Sequence, residues 1–305
     1  MKLKVATCQF PVSADIQANY RHISSQIRKA KAQGADVVHF PECALSGYAG
    51  PDLKSYKGFD WEQLEKHTKD IFSLARRLKI WVILGTSHRL TGAHKPHNSL
   101  YIINADGKLI DRYDKMFCAG SKAKKQTGDL GHYTPGDHLC VFTIKGVKCG
   151  AQICHDYRYP EVYREYKRKG VQLMFHSYHA GGVSPGRYKE IQNYVGKFAD
   201  MSEGSTIPAI TMPATMRSYA ANNYFWISCP NSSRKESCWP AFFVRPDGVV
   251  TGQLRRNVAG VLVSTVNTSK KWYDSTVAWR DRAIRGVFHS GTLVADPRSR
   301  NRTKL

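Results

Sequence analysis

The sequence predicts an α/β protein in which helices cover β-sheets, and three observations lead there. Apolar residues switch repeatedly between strand-like runs and the three-and-four spacing of amphipathic helices, giving β-α-β-α-β over the first hundred residues. Strand and helix patterns then persist to about residue 266 without an internal repeat or a low-complexity segment. Hydrophobic residues make up 42% and aromatic residues 11% of the 305-residue chain, enough for a sizeable core and unlike a disordered sequence. Length alone allows one domain or two; one is favoured, over residues 1–266, followed by a basic extension at 267–305.

Each element has its own signal. KVATCQF reads as a strand, and Tyr20, Ile23, Ile27 and Ala30 recur at helical spacing before Gly34 offers a stop. DVVHF at 36–40 is the next strand, Trp61 to Leu78 forms a second amphipathic helix, and IWVILGTS reads as a buried strand. Asp106-Gly107 suits the positive-φ positions of a tight hairpin. Residues 118–137, rich in Gly and Lys, read as an irregular loop expected to lie over a pocket. KCGAQIC is a strand ending at Cys154, after which Pro160 suits the first turn of a helix that Gly170 ends. VQLMFHS is again strand-like; helices are expected around 186–203 and 214–223, then the strands NYFWISCP, AFFVRPDGVVTGQ and GVLVSTV. The last forty residues read as a mostly irregular tail whose Trp272, Tyr273, Trp279, Ile284 and Phe288 should pack on the domain or on a neighbouring subunit.

Bulk properties exclude several classes. The N-terminus runs directly into a strand pattern without a signal-peptide apolar stretch, and no apolar run approaches a bilayer span, so a soluble cytoplasmic protein is expected. Eight scattered cysteines without a C-x-x-C pair then read as reduced thiols. The closest-spaced histidines, His176 with His179 and His132 with His138, lack the acidic or cysteine partners of a known metal pattern, so neither metal nor cofactor is expected. The formal charge of +22 attracts anions, yet its basic residues are spread over EYKRKG, SKAKKQ and the tail. Solvated surface is the plainest reading, an anionic substrate or partner the next, and no nucleic-acid-binding motif accompanies the charge.

Three places carry chemistry, each at or beyond the end of an apolar strand, where loops surround the side chain. Glu42 follows Pro41, whose ring stops strand pairing and lets the carboxylate project. Lys115 lies between a strand and the apolar pair Met116-Phe117. Cys154 closes a strand ahead of a turn that can expose its sulfur, and HDYRYPE, directly after it, holds an unusual density of titratable groups.

The segments FPECALSGY, YDKMF and ICHDYRYPE together resemble the motifs of the nitrilase superfamily of carbon-nitrogen hydrolases, over about residues 3–266. The resemblance implies a four-layer α-β-β-α sandwich that associates as a homodimer or higher homo-oligomer. It also implies cleavage of a non-peptide C–N bond through a thioester, with Cys154 as nucleophile, Glu42 as general base and Lys115 as the cation facing the oxyanion. Many amidases of the family carry a second glutamate before a Tyr-x-Pro-Gly element; HYTPGD at 132–137 matches that element and places Asp129 at the position, one methylene shorter. Cys-His-Asp resembles amidases and carbamoylases rather than the Cys-Trp-Glu of true nitrilases. Arg158 resembles a position that faces a substrate carboxylate in several relatives, a task suited to a guanidinium; pairing with Asp156 or Glu161 is the structural alternative. Tyr48, His132, Tyr133, His155, Tyr157, His176 and Tyr178 are further candidates for lining the site, and they suggest a substrate with a ring or an anionic end. Nitrile hydrolysis and a catalytically silent polyanion-binding protein on the same fold are the competing readings, with no membrane partner expected.

Overall fold

The computed structural model describes residues 1–121 and 127–303, so part of the SKAKKQ segment lies outside the described residues. The first half of the chain gives β1 (Lys2–Phe10), α1 (Ile16–Ala32), β2 (Val37–His39), α2 (Trp61–Leu78), β3 (Trp81–His88), β4 (His97–Ile103) and β5 (Leu109–Asp114). The second gives β6 (Val141–Ile144), β7 (Val147–Ile153), α3 (Pro160–Arg168), β8 (Leu173–Ser177), α4 (Pro185–Val195) and α5 (Ile207–Asn223). It continues with β9 (Trp226–Cys229), β10 (Asn231–Ser232), β11 (Phe242–Val244), β12 (Val250–Gln253), β13 (Gly260–Asn267), α6 (Arg280–Ile284) and α7 (Pro297–Arg300).

Two sheets result. One runs β10-β1-β2-β3-β4-β5, with β13 antiparallel along β1; the other runs β12-β11-β9-β8-β7-β6. The central pairs β1-β2-β3 and β7-β8-β9 are parallel, as strands joined through helical crossovers must be. Strand alternation sorts side chains into layers. Leu3 and Val5 of β1, Cys149, Ala151 and Ile153 of β7, and Leu173 and Phe175 of β8 form the core between the sheets. Ala6 and Cys8 of β1 turn outward onto α1 and α2, while Met174 of β8 turns onto α3 and α5. The architecture is therefore a four-layer α-β-β-α sandwich.

The inter-sheet layer is not wholly apolar. His39 of β2 reaches across to Ser228 of β9 through Nδ1 at 2.9 Å and to Ser177 of β8 through Nε2 at 2.8 Å. Thr7 of β1 joins Ser228 at 2.7 Å, so one buried polar chain stitches both sheets.

Two helices differ from expectation. The helix expected from residue 214 starts at Ile207, because Thr206 accepts from Ala209 N at 3.2 Å and Pro208 sits in the first turn, both strong start signals. Pro213 lies inside this helix. The helix expected over 186–203 stops at Val195, where Gly196 adopts φ 55°. In the tail, Trp272 lies under the Arg245 guanidinium at 3.9 Å and against Trp226 at 5.9 Å, and Arg168 donates to the Ile284 carbonyl. Past that point side chains such as Phe288 and Leu293 are exposed. Among the described residues no helix is long and apolar enough to cross a membrane.

Candidate active site

The ends of strands from both sheets meet at one place. Glu42 follows β2; its amide donates to Tyr178 O, just past β8, at 3.2 Å, so the turn that carries Glu42 is pinned to the opposite sheet. Lys115 follows β5 and donates its amide to Asn98 O of β4 at 2.8 Å. Cys154 follows β7 and opens a short 3-10 turn with φ 40°, a conformation that side chains resist and that a functional turn can hold under strain.

Glu42 and Lys115 are fully buried, and Lys115 Nζ lies 2.8 Å from Glu42 Oε1 and 2.7 Å from Asp129 Oδ2. Its third contact is longer, a donation to the Tyr48 hydroxyl at 3.3 Å. Tyr48 in turn donates to Asp129 Oδ1 at 2.5 Å, and Ala119 N donates to Asp129 Oδ2 at 3.0 Å. The shorter aspartate therefore reaches the lysine directly. Asn98 Nδ2 donates to Glu42 Oε1 at 2.7 Å, so that oxygen serves two donors while Oε2, also buried, accepts from no hydrogen-bond donor in standard geometry among the described residues.

Electrostatics follow from this crowding. Burial pushes the Cys154 thiol well up, the Glu42 charge adds to that, and Lys115 only partly offsets it, so the sulfur rests as a thiol beside a base. Burial alone would lower Lys115, yet Glu42 and Asp129 outweigh it and hold the ammonium charged. Burial likewise opposes ionisation of Asp129, but Lys115, Tyr48 and Ala119 N hold it below the usual carboxylate range.

A family model described as carbon-nitrogen hydrolase matches residues 4–272 of this chain. The chain belongs to the carbon-nitrogen hydrolase family. It is 28% identical over 174 residues to the omega-amidase NIT2 of Homo sapiens, a match covering 56% of this chain and 61% of that protein. Against the Danio rerio omega-amidase NIT2 the identity is 28% over 176 residues, covering 57% and 62%. The chain thus spans about three-fifths of the length of these curated relatives. In fold it is similar to an amidase from Nesterenkonia sp., with TM-score 0.70 and 19% identity over 93% of this chain and 95% of that one. A mutant of that amidase, from strain AN1, shows the result of Michael addition of acrylamide at its active site cysteine; its TM-score is 0.70 at 19% identity, over 93% and 99%.

Within this carbon-nitrogen hydrolase the other sequence candidates separate. Tyr48 stands at the centre. His155 and Arg158 lie on the Cys154 turn, His155 edge-on to Tyr159 at 5.9 Å and Arg158 exposed over the Tyr157 ring at 4.6 Å. Arg158 pairs with neither Asp156 nor Glu161; its hydrogen bond, at 3.4 Å, is to Thr211. His176 is buried behind Cys154: Nε2 meets Cys154 O at 3.1 Å and Nδ1 meets the Tyr163 hydroxyl at 2.8 Å, so Nε2 carries the proton and Tyr163 donates. Burial lowers its pKa to about 3, keeping it neutral. Tyr178 stacks on that ring and donates to Met216 Sδ at 3.0 Å, with Tyr157 edge-on to it at 6.2 Å. Tyr133 is buried behind Tyr48, its hydroxyl accepting from Ala49 N at 2.9 Å, and His132 lines a neighbouring cavity.

Sequence reading missed the supports. Asn98, a buried polar residue in β4, holds Glu42. Asp156 accepts from Ile153 N at 3.0 Å, Phe117 N at 2.8 Å and Tyr113 OH at 2.7 Å, tying the Cys154 turn to the Lys115 segment. Asp52 accepts from Tyr48 N at 3.0 Å and pairs with His179 at 3.0 Å and with Arg234. Among the described residues no group of three His, Cys, Asp or Glu is placed to hold a metal ion.

Proposed function

We propose that this chain hydrolyses a small amide or N-carbamoyl compound through a thioester on Cys154. One observation carries the reading: a buried Glu42-Lys115-Asp129 charge cluster lies near enough to the strand-end Cys154, held at positive φ, for its charges to bear on the thiol. A thiol with a raised pKa needs a base at the moment of attack, and Glu42 Oε2 is the unclaimed buried oxygen that takes the proton as sulfur bonds to the carbonyl carbon. The carbonyl oxygen becomes an anion. Lys115 meets it by giving up its longest contact, the one to Tyr48, while Glu42 and Asp129 keep the ammonium in place. Collapse of the intermediate breaks the C–N bond, and the proton held by Glu42 passes to the leaving nitrogen. Water then attacks the thioester with Glu42 again as base, releasing the acid and restoring the thiol.

The omega-amidase and amidase relatives support the amide class, and His155-Asp156 after the nucleophile supports it over nitriles. Arg158, exposed beside the turn, suits a substrate with an anionic end. The test is ammonia release from a panel of ω-amides, aliphatic amides, N-carbamoyl amino acids and nitriles, with Cys154→Ala run alongside. Turnover of an amide or ureido compound that disappears in Cys154→Ala is the expected result. Turnover that survives the substitution sinks Cys154 as nucleophile, and turnover of nitriles alone sinks the amide assignment.

A further inference from the structure

Next to the loop that carries Asp129, and not lined by Cys154, Glu42 or Lys115, lies a cavity of about 360 Å³. One wall is aromatic: Tyr56 and Trp61 stack at 5.3 Å with 24° between their planes. The β3–β4 connection brings Arg89, His94 and Lys95 to the same cavity, and His132 of the loop that carries Asp129 completes it. Among the described residues no carboxylate lines this cavity, whereas two cations and two histidines do. The Arg89 guanidinium has a single partner among the described residues, the Trp61 ring at 5.7 Å, so its hydrogen-bonding fork meets no acceptor among them.

We propose that this cavity binds a small planar organic anion, a carboxylate or phosphate monoester carried on a ring. The ring lies against Trp61 and Tyr56, and the anionic group sits between Arg89 and Lys95. Rigid aromatic side chains take a ring with little loss of side-chain freedom, and a guanidinium with no acceptor among the described residues supplies directional binding of the anion. The general positive charge of the molecule brings anions to the surface; the absence of lining acids makes this the place where one stays.

The cavity also touches the catalytic machinery. Lys95 Nζ donates to Leu130 O at 2.7 Å, one residue from Asp129, and Thr134 N donates to Pro96 O at 2.9 Å. Tyr56 OH donates to Tyr133 OH at 2.9 Å, which meets Cys43 Sγ at 3.5 Å; Cys43 adjoins Glu42 and contacts Asn98 Oδ1 at 3.4 Å. An occupant that pulls on Lys95 or Tyr56 therefore acts on the segments that hold Asp129 and Glu42. This coupling rests on the hydrolase reading above, whereas binding itself does not.

The test separates the two. Binding of phenyl phosphate, benzoate and inorganic phosphate is measured by calorimetry on Cys154→Ala, with and without Arg89→Gln, and thermal melts verify folding. Saturable binding of the ring compounds, weakened at least about tenfold by Arg89→Gln and much weaker for inorganic phosphate, is expected. No saturable binding, equal binding in Arg89→Gln, or inorganic phosphate binding as tightly as phenyl phosphate overturns the site. With the wild-type cysteine, saturating phenyl phosphate should change the rate of amide turnover, and Arg89→Gln should keep the basal rate while losing the change. A wild-type rate unmoved by saturating ligand overturns the coupling.

Discussion

Asp156 shows how a residue two positions from Cys154 can hold the turn that carries it. Its two oxygens take two backbone N–H groups and one phenol, from the strand before Cys154, the segment after Lys115 and β5. Burial pushes its pKa up to about 6, so at neutral pH it is still a carboxylate, and only an acceptor suits all three donors. Asp156→Asn breaks this however the amide is turned, because its NH₂ must face either Ile153 N–H or Phe117 N–H. A loss of about 1–3 kcal/mol of stability is expected in urea unfolding, from one donor left buried and unpaired. Turnover should fall as well, since the turn that aims Cys154 loses its tie to the Lys115 segment. An Asp156→Asn protein with wild-type unfolding midpoint and rate would remove Asp156 from this role.

At the scale of elements, the catalytic groups depend on a close approach between β3 and the Glu42 turn. Gly85 in β3 gives its carbonyl to Leu45 N at 2.9 Å, and a Cβ there would lie 1.9 Å from Pro41 O and 2.9 Å from Cys43 N. Those are backbone atoms on both sides of Glu42, so they cannot swing aside. Gly85→Ala should cost more than the ordinary 1–3 kcal/mol of an overpacked core position and should lower kcat more than it raises KM, as measured in steady-state kinetics and thermal melts. A fully active, fully stable Gly85→Ala enzyme would mean that the turn is not held by this contact. The same glycine marks where sequence reading stopped short. Apolar patterning located β1 to β3, α1 and α2, because the strands are short, largely buried apolar runs and each helix carries one apolar face. An isolated glycine within the β3 run was a legible sign of close backbone approach, yet it does not say which segment approaches. Asn98 and Asp52 left even less trace: Asn98 meets Glu42 from 56 residues away and Asp52 meets Arg234 from 182 residues away, and only the folded arrangement pairs them. The start of α5 lies about two turns before the expected residue 214, because its start signals, Thr206 and Pro208, precede residues that mix polar and apolar types without a clear stripe.

For the whole molecule, the buried histidines between and behind the sheets make stability depend on pH in a definite direction. His39 bridges the sheets and His176 backs the nucleophile; burial lowers both pKa values, His39 well below its usual value and His176 to about 3. A base whose folded pKa is depressed binds fewer protons in the native state than in the unfolded chain at every pH between the two values. Its contribution is therefore intact above about pH 6.5 and is lost progressively as pH falls from there. Asp156 works in the opposite sense, because a carboxyl raised to about 6 holds more protons when folded and gains stability as pH falls from about 6 toward 4. Asp129 and Asp52, both lowered, lose their contribution only below the ordinary carboxylate range, so they stay silent in the window above about pH 5. Comparing the wild type with His39→Gln across that window isolates the histidine, since Asp156 contributes equally to both. The substitution should lower stability at neutral pH by removing bonds to Ser177 and Ser228, yet its stability should fall less steeply on acidification. The expected difference in slope approaches about 1.4 kcal/mol per pH unit between about pH 6 and pH 5, one proton's worth. Urea unfolding at about pH 7.5, 6 and 5 measures it; parallel pH profiles for the two proteins would show that His39 takes up its proton in the native state, and that the polar stitch between the sheets tolerates a charge.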